Sequence, residues 1–285
     1  MKHFFIITNT SKDPALVETN RIKDYLEEHG AEVTLAEQVM VSSDDEKKPR
    51  FTSNVPDDAE VCVVLGGDGT MLQAAANVID KGIPLIGVNL GTIGYLAEVD
   101  IDDARNAMDK LLADDFEIEK RMMLKGVLQQ GEDAGKVNHA LNDIVIARCS
   151  SIQVLNFNIF VNDMPLTQYQ ADGIILSSPT GSTGYNMSAG GPIVDPSAQI
   201  LLLTPICSHT IGARTIVLSE HDKVTVEIGE GRGGADQIVE ATLDGSNRKI
   251  MKSGDRIDIC TSDKVTKIVK LSSESFLNTL RKKLV

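Results

Sequence analysis

A strand, a glycine turn and a helix are written without a gap into Val61-Cys62-Val63-Val64-Leu65-Gly66-Gly67-Asp68-Gly69-Thr70-Met71-Leu72, and that junction limits what the rest of the chain can be. Apolar, largely β-branched residues lead into three glycines around one aspartate. A helical stripe, Met71, Leu72, Ala75, Ala76 and Ile79, follows. Glycine is needed where φ turns positive or where a ligand approaches the main chain closely. A strand, a tight turn and a helix in succession aim backbone N–H groups at one spot, which suits phosphate. No G-x-x-x-x-G-K-[ST] spacing occurs, so the turn is not a Walker loop. A carboxylate in such a turn repels phosphate unless it binds a metal or accepts a proton, which makes Asp68 the first candidate for chemistry.

The chain before and after this junction reads as an open α/β domain. Residues 4–8 are a buried strand, and Asp13-Pro14 opens a helix with Ala15, Ile22, Tyr25 and Leu26 on one face and Gly30 at its end. Ala31 to Leu35 is the next strand, so the sheet is expected to be parallel. Residues 38–57 are polar and charged without periodicity, and predict a mobile surface loop, a flap over a nearby site. Pro84 to Asn89 is a further strand, followed by a second glycine turn, Gly91-Thr92-Ile93-Gly94-Tyr95-Leu96. In open α/β sheets such turns gather at the carboxyl edge, where ligands bind. Asp102-Asp103 caps a helix that turns Ala104, Ala107, Met108, Leu111 and Leu112 inward.

From Phe116 onward the pattern changes to short β-rich segments: 122–129, 142–148, 152–161, 172–178, 214–218, 223–228, 237–243 and 256–261. Many short strands without long helices predict a sandwich. The tail has a strand-like Val265 to Leu271 and a basic helix, Phe276 to Leu284. The expected fold is an N-terminal open α/β (Rossmann-like) domain over 1–100, then a β-rich sandwich domain over 101–263, with 264–285 packing back on the first.

A formal charge of −13 over 285 residues argues against nucleic acid and anionic membranes as partners. No apolar run is long enough to span a bilayer. Met1 to Asn9 reads as a first strand rather than a secretory signal, so the expected setting is the cytoplasm. The four cysteines form no C-x-x-C pair and fit reduced thiols.

Three further stretches can carry chemistry. Asp172-Gly173 begins a strand that runs into Ser177-Ser178-Pro179-Thr180-Gly181-Ser182-Thr183-Gly184-Tyr185, with Ser188 beyond. Uncharged hydroxyls between glycines suit ribose hydroxyls, amides and phosphates. Asn142-Asp143 at a strand start can grip a ribose or hold a metal, and taken alone is also a common turn. Leu243-Asp244-Gly245-Ser246 reads as an ordinary β-turn. Gly229-Glu230-Gly231-Arg232-Gly233-Gly234 matches G-x-G-x-x-G but precedes no helix, and predicts a flexible hairpin turn. Cys207-Ser208-His209 has no second ligand cluster at zinc spacing and reads as a loop histidine.

Taken together, Gly66-Gly67-Asp68-Gly69-Thr70, Asn142-Asp143, and Asp172-Gly173 running into Pro179 to Tyr185 resemble the bacterial NAD kinases in order and spacing. Thr204-Pro205-Ile206-Cys207 to Leu218 and Asp244-Gly245 are similar to that family too. The resemblance covers nearly the whole chain. It implies ATP-dependent phosphorylation of the 2′-hydroxyl on the adenosine ribose of NAD, with Mg2+ or another divalent cation. Asp68 would take the hydroxyl proton, with Gly67 and Gly69 beside it. Asn142 and Asp143 would hold the nicotinamide-side ribose or the metal environment, and Asp172 would sit near the nicotinamide amide. Thr180, Thr183, Gly184, Tyr185 and Ser188 would line the dinucleotide site, with Gln153, Gln170 and Ser246 as further contacts. No residue is assigned as a metal ligand. A homodimer or homotetramer is implied, one subunit contributing to its neighbour's site.

Five positions depart from the family pattern: Asp143 replaces the usual Glu, Gln170 an often basic residue and Gly184 the usual alanine, while Gln153 and Ser246 are less typical side chains. Two other classes share part of the pattern. A diacylglycerol-type lipid kinase shares the first motif and leaves the Thr-Gly-Ser-Thr loop unexplained. A non-catalytic NADP(H)-binding protein would keep the binding loops without needing Asp68.

Overall fold

The computed structural model describes residues 1–36, 38–43, 46–51, 54–91, 94–149, 154–210, 212–271 and 276–284. They fall into two compact units, Met1–Lys120 with Val265–Val285, and Arg121–Lys264.

In the first unit four parallel strands stand side by side in the order Glu32–Leu35, His3–Thr8, Val61–Gly66, Leu85–Asn89. Val99–Asp100 pairs with the carboxyl end of the last strand, and Ile268 of the returning tail pairs with Leu85 at its start. The helices Val17–Glu28 and Ala104–Leu112 pack Ile22, Leu26, Met108 and Leu111 against Phe4, Ile6, Val63, Leu65, Ile86 and Val88. Strands covered on both faces read as continuous apolar runs, which is why residues 4–8 and 61–65 were legible as strands. The helix Asp68–Val78 turns Met71, Ala74, Ala75 and Val78 inward, while Ala76 faces solvent. The tail is fixed to this unit by Val269 and Leu271 in the same core, by Lys110 donating to the Leu271 carbonyl at 2.8 Å, and by Lys283 over the Tyr95 ring.

Two local expectations are corrected here. The first helix starts at Val17, not at Pro14. Asp13 is the reason: its carboxylate accepts the N–H groups of Val17 and Thr19 and the Thr19 hydroxyl, capping the helix from outside while Leu16 takes φ 53°. Burial raises the Asp13 pKa, but these bonds outweigh it and hold the carboxyl below its usual value. The stretch 38–57 is not a featureless loop: Gln38–Ser43 and Glu46–Phe51 pair antiparallel as a hairpin. Backbone pairing needs no apolar alternation, so the polar sequence hid it.

The second unit is a sandwich of two antiparallel sheets. One has the order Met164–Ala171, Leu155–Val161, Val224–Ile228, the strand from Arg256, the strand ending at Leu128, and Val137–Ala140. The other has the order Ile216–Ser219, Ile200–Ile206, Gly173–Ser177, Asp143–Arg148, Ile238–Leu243, Asn247–Lys252. Phe157, Ile159, Val226, Ile257 and Leu124 of one sheet share a core with Ile144, Ile146, Ile174, Leu176, Leu203 and Val239 of the other. The segments expected at 256–261 and 265–271 are one unbroken strand, Arg256–Lys270. Gly229 to Gly234 is not a hairpin turn, because the strands on either side of it belong to different sheets. No helix among the described residues is long and apolar enough to cross a membrane.

Gly87 lies where the strand Leu85–Asn89 meets the helix Asp68–Val78. A Cβ there would stand 2.7 Å from Ala97 Cα and 2.9 Å from Met71 Sδ. Overpacking of this kind costs about 1–3 kcal/mol. Gly87→Ala is expected to lower the urea midpoint followed by circular dichroism, and an unchanged midpoint would contradict this packing.

Candidate functional site

In the first unit three loops leave the carboxyl ends of adjacent parallel strands. They are Asn9 to Asp13, Gly66 to Thr70, and the segment from Leu90. Gly66 allows the middle turn to close, since a Cβ there would overlap Thr70 Oγ1. Gly67 is the N-cap of the helix that begins at Asp68, and Gly69 is exposed in its first turn. The half-buried Asp68 carboxylate turns to the next loop. Oδ2 accepts the Tyr95 N–H at 2.8 Å, and Oδ1 accepts those of Leu96 and Ala97 at 2.9 and 3.4 Å. Gly94 makes this possible, because a Cβ at 94 would lie 1.8 Å from Asp68 Oδ1. A carboxylate has about four lone-pair positions. These three bonds fill Oδ1 and leave one position on Oδ2 for a proton or cation. Asn89 ends the adjacent strand, wholly buried, with an Oδ1 that no protein group among the described residues meets.

In the second unit Asp143 is opposite Ser177, so the Asn142 turn and the hydroxyl loop emerge together. Asn142 Oδ1 and Thr180 Oγ1 are buried without a hydrogen-bond partner. A Cβ on Gly184 would stand 3.5 Å from Asn142 Nδ2 and 3.8 Å from Asp143 Oδ2, so both side chains project at this glycine. Gly181 lets the Thr180–Thr183 turn lie on the Asn142 carbonyl, which a Cβ would strike. Three of the loop's serines hold the loop itself. Ser177 and Ser178 donate to the Ser178 and Leu141 carbonyls, and Ser182 donates to that of Val194. The hydroxyl supply expected of this loop is therefore smaller than its sequence suggests: Thr180 Oγ1 has no hydrogen-bond partner among the described residues, while Thr183 donates to the Thr180 carbonyl at 3.5 Å. Tyr185 and Ser188 are exposed on the short helix that follows, anchored by the buried Asn186.

Burial raises the Asp143 carboxyl to about 7, and the charge of nearby Asp244 adds to it. Burial raises Asp244 as well, opposed by three backbone bonds. Asp244 Oδ2 accepts the Leu141 N–H at 2.7 Å, and Oδ1 those of Asn142 and Asp143 at 2.8 and 3.2 Å. Asp244 does this from φ 47° and carries Ser246 exposed in its turn. The sequence reading missed this role. An Asp-Gly turn looks the same whether or not its carboxylate serves a loop a hundred residues away.

Gln170 and Asp172 are not brought to Asn142. Asp172 precedes the strand Gly173–Ser177 at the end opposite Ser177, roughly 16 Å from it along the strand at ~3.3 Å per residue. There Asp172 pairs with Arg148 at 3.2 Å, and the Gln170 carbonyl accepts the His209 N–H. Gln153 lies outside the described residues.

The family model described as the ATP-NAD kinase N-terminal domain matches residues 4–116, and that of the ATP-NAD kinase C-terminal domain matches residues 141–271. The NAD kinase of Agathobacter rectalis is 44% identical over 285 residues, covering 100% of this chain and 99% of that protein. The NAD kinase of Lachnospira eligens is 39% identical over 293 residues, covering 100% of both. Among solved structures, yeast NADH kinase complexed with NADH matches with TM-score 0.85 at 23% identity, covering 100% of this chain and 87% of the other. An Archaeoglobus fulgidus NAD kinase in complex with ATP matches with TM-score 0.78 at 22% identity, covering 99% and 98%. These two likenesses concern the fold.

The Asp143–Asp244 pair sets a pH dependence. An acid raised in the folded state binds its proton there more readily than in the unfolded chain, so its contribution to stability falls as pH rises from the ordinary carboxyl range toward 7. Asp143→Asn removes that penalty. The unfolding free energy of the ligand-free variant, relative to the unsubstituted chain, is expected to increase between pH 4 and about 7. A difference flat in pH would contradict the buried pair.

Proposed function

The chain belongs to the NAD kinase family, a family of phosphotransferases, and on that premise we propose how its residues carry the ATP-dependent phosphorylation of the 2′-hydroxyl on the adenosine ribose of NAD. ATP is the phosphoryl donor. Phosphoryl transfer asks a protein for positioning, charge neutralisation and a base beside the attacking oxygen. The observation that carries the reading is the Asp68 carboxylate, fixed by three amides and left with one open position on Oδ2. That position accepts the 2′-hydroxyl proton. The 2′-oxygen bonds to the γ-phosphorus, the bond to the β,γ-bridging oxygen breaks, and ADP leaves.

The flanking Gly67 and Gly69 leave room for a phosphate against the backbone. The unpartnered Asn142 Oδ1 and the Asp143 carboxyl, near neutral pH both acceptor and donor, suit the hydroxyls of the second ribose. Thr180, Thr183, Gly184, Tyr185 and Ser188 line the dinucleotide, and Gln153 and Ser246 are peripheral contacts in the same reading. Mg2+ is part of it too: the oxygen chemistry of Asp68 and of ATP's phosphates suits a hard cation, which when bound neutralises phosphate charge. A homodimer or homotetramer completes the reading. Asp172 and Gln170 stand at the far end of their sheet from Asn142, and a second copy would bring them to the nicotinamide. The proposed setting is the cytoplasm, in keeping with four unbridged cysteines, and neither nucleic acid nor membrane is a partner. A lipid kinase reading explains the first motif alone and leaves the match over 141–271 without a cause.

The test is the rate of NADP formation from NAD, ATP and Mg2+. Asp68→Asn is expected to lose on the order of 10²-fold or more, the scale of a general base, and circular dichroism of the variant checks that its fold is kept. Retained activity would remove Asp68 as base.

A further inference from the structure

We propose that Lys12 is a phosphate-binding residue of this reaction, its ammonium meeting the phosphate oxygens of ATP over the Gly67 turn; the proposal rests on the kinase reading above. No motif drew attention to Lys12, which lies in a polar stretch after the first strand. The fold carries it to the center of the carboxyl edge. Asn9 N–H donates to the Leu65 carbonyl at 2.8 Å, and Asn9 Nδ2 to Thr70 Oγ1 at 3.3 Å. The Lys12 N–H then donates to the Asn9 carbonyl at 2.9 Å, which folds the loop back over the glycine turn. Leu90 N–H bonds the Gly66 carbonyl and brings the third loop alongside.

The consequence is that Lys12 Nζ stands over both glycine turns at once. A Cβ built on Gly67 would be 3.4 Å from it, and one built on Gly91 would be 3.3 Å away. No carboxylate pairs with this ammonium among the described residues, in a chain of net charge −13. Asp68, the acid of the same turn, points its oxygens at the Tyr95, Leu96 and Ala97 amides instead. Gly67 is also the N-cap of the helix Asp68–Val78, the positive end of a helix dipole, where a cation is unfavourable and an anion is stabilised. An ammonium and a helix N-terminus facing the same small space repel each other unless an anion lies between them. A phosphate meets both, with the glycines giving it backbone access. In transfer, the same ammonium stabilises charge developing on the phosphoryl oxygens.

The experiment compares the full chain with Lys12→Met and Lys12→Arg, varying ATP and NAD separately. Lys12→Met is expected to lower kcat/KM for ATP on the order of 10²-fold, with the KM for NAD changed by less than about twofold. Lys12→Arg restores most of the loss. Since the side chain is exposed, the melting temperature stays unchanged in both. Unaltered ATP kinetics in Lys12→Met, or a KM for NAD raised as much as that for ATP, would overturn the proposal. If the unsubstituted chain forms no NADP, the kinase reading fails on its own. Calorimetric binding of β,γ-imido-ATP then decides about Lys12 separately: weaker binding to Lys12→Met supports it, and equal binding overturns it.

Discussion

Three backbone N–H groups of one loop, those of Tyr95, Leu96 and Ala97, close on the carboxylate of Asp68 in another. Hydrogen bonds to a charged acceptor are the strong ones, and here they replace the side-chain packing that a glycine-rich edge lacks. They join the first turn of the helix Asp68–Val78 to the connection after Leu85–Asn89, so two of the loops at the sheet's carboxyl edge move as one body. They also fix which oxygen of Asp68 faces outward. In the proposed role of base, a carboxylate held this way would need little reorganisation to accept a proton.

The second unit repeats the device on an unrelated scaffold. Asp244 accepts the N–H groups of Leu141, Asn142 and Asp143, again three in succession, and so orients the side chains expected to hold a ribose. The difference lies in surroundings. Asp143 is buried and Asp244 half-buried beside it, and burial raises both carboxyls. One aspartate therefore shapes a turn while its neighbour stays poised between protonation states at neutral pH, a division set by environment alone.

What the sequence disclosed follows from the range of each interaction. The strand, turn and helix at 61–78 are local, and their residues, Asp68 included, were readable because propensity and burial agree there. The Asp68–Gly94 approach and the Asp244 bonds join residues far apart in the chain, and no local pattern encodes them. The hydroxyl loop stood out for its hydroxyls, yet Ser177, Ser178 and Ser182 donate theirs to the backbone carbonyls of Ser178, Leu141 and Val194. The strand Arg256–Lys270 read as two because Thr261 to Lys264 is polar, whereas Ser262 is buried there and bonded to His139. The polar hairpin at 38–51 carries no apolar period, and only pairing reveals it.

The account turns on where the phosphoryl group goes. The most direct measurement is 31P nuclear magnetic resonance of the product formed by this chain from NAD, ATP and Mg2+. A phosphomonoester on the 2′-oxygen of the adenosine ribose, formed together with ADP, is the predicted result. A phosphate on any other hydroxyl, or ATP hydrolysed with NAD untouched, would contradict it.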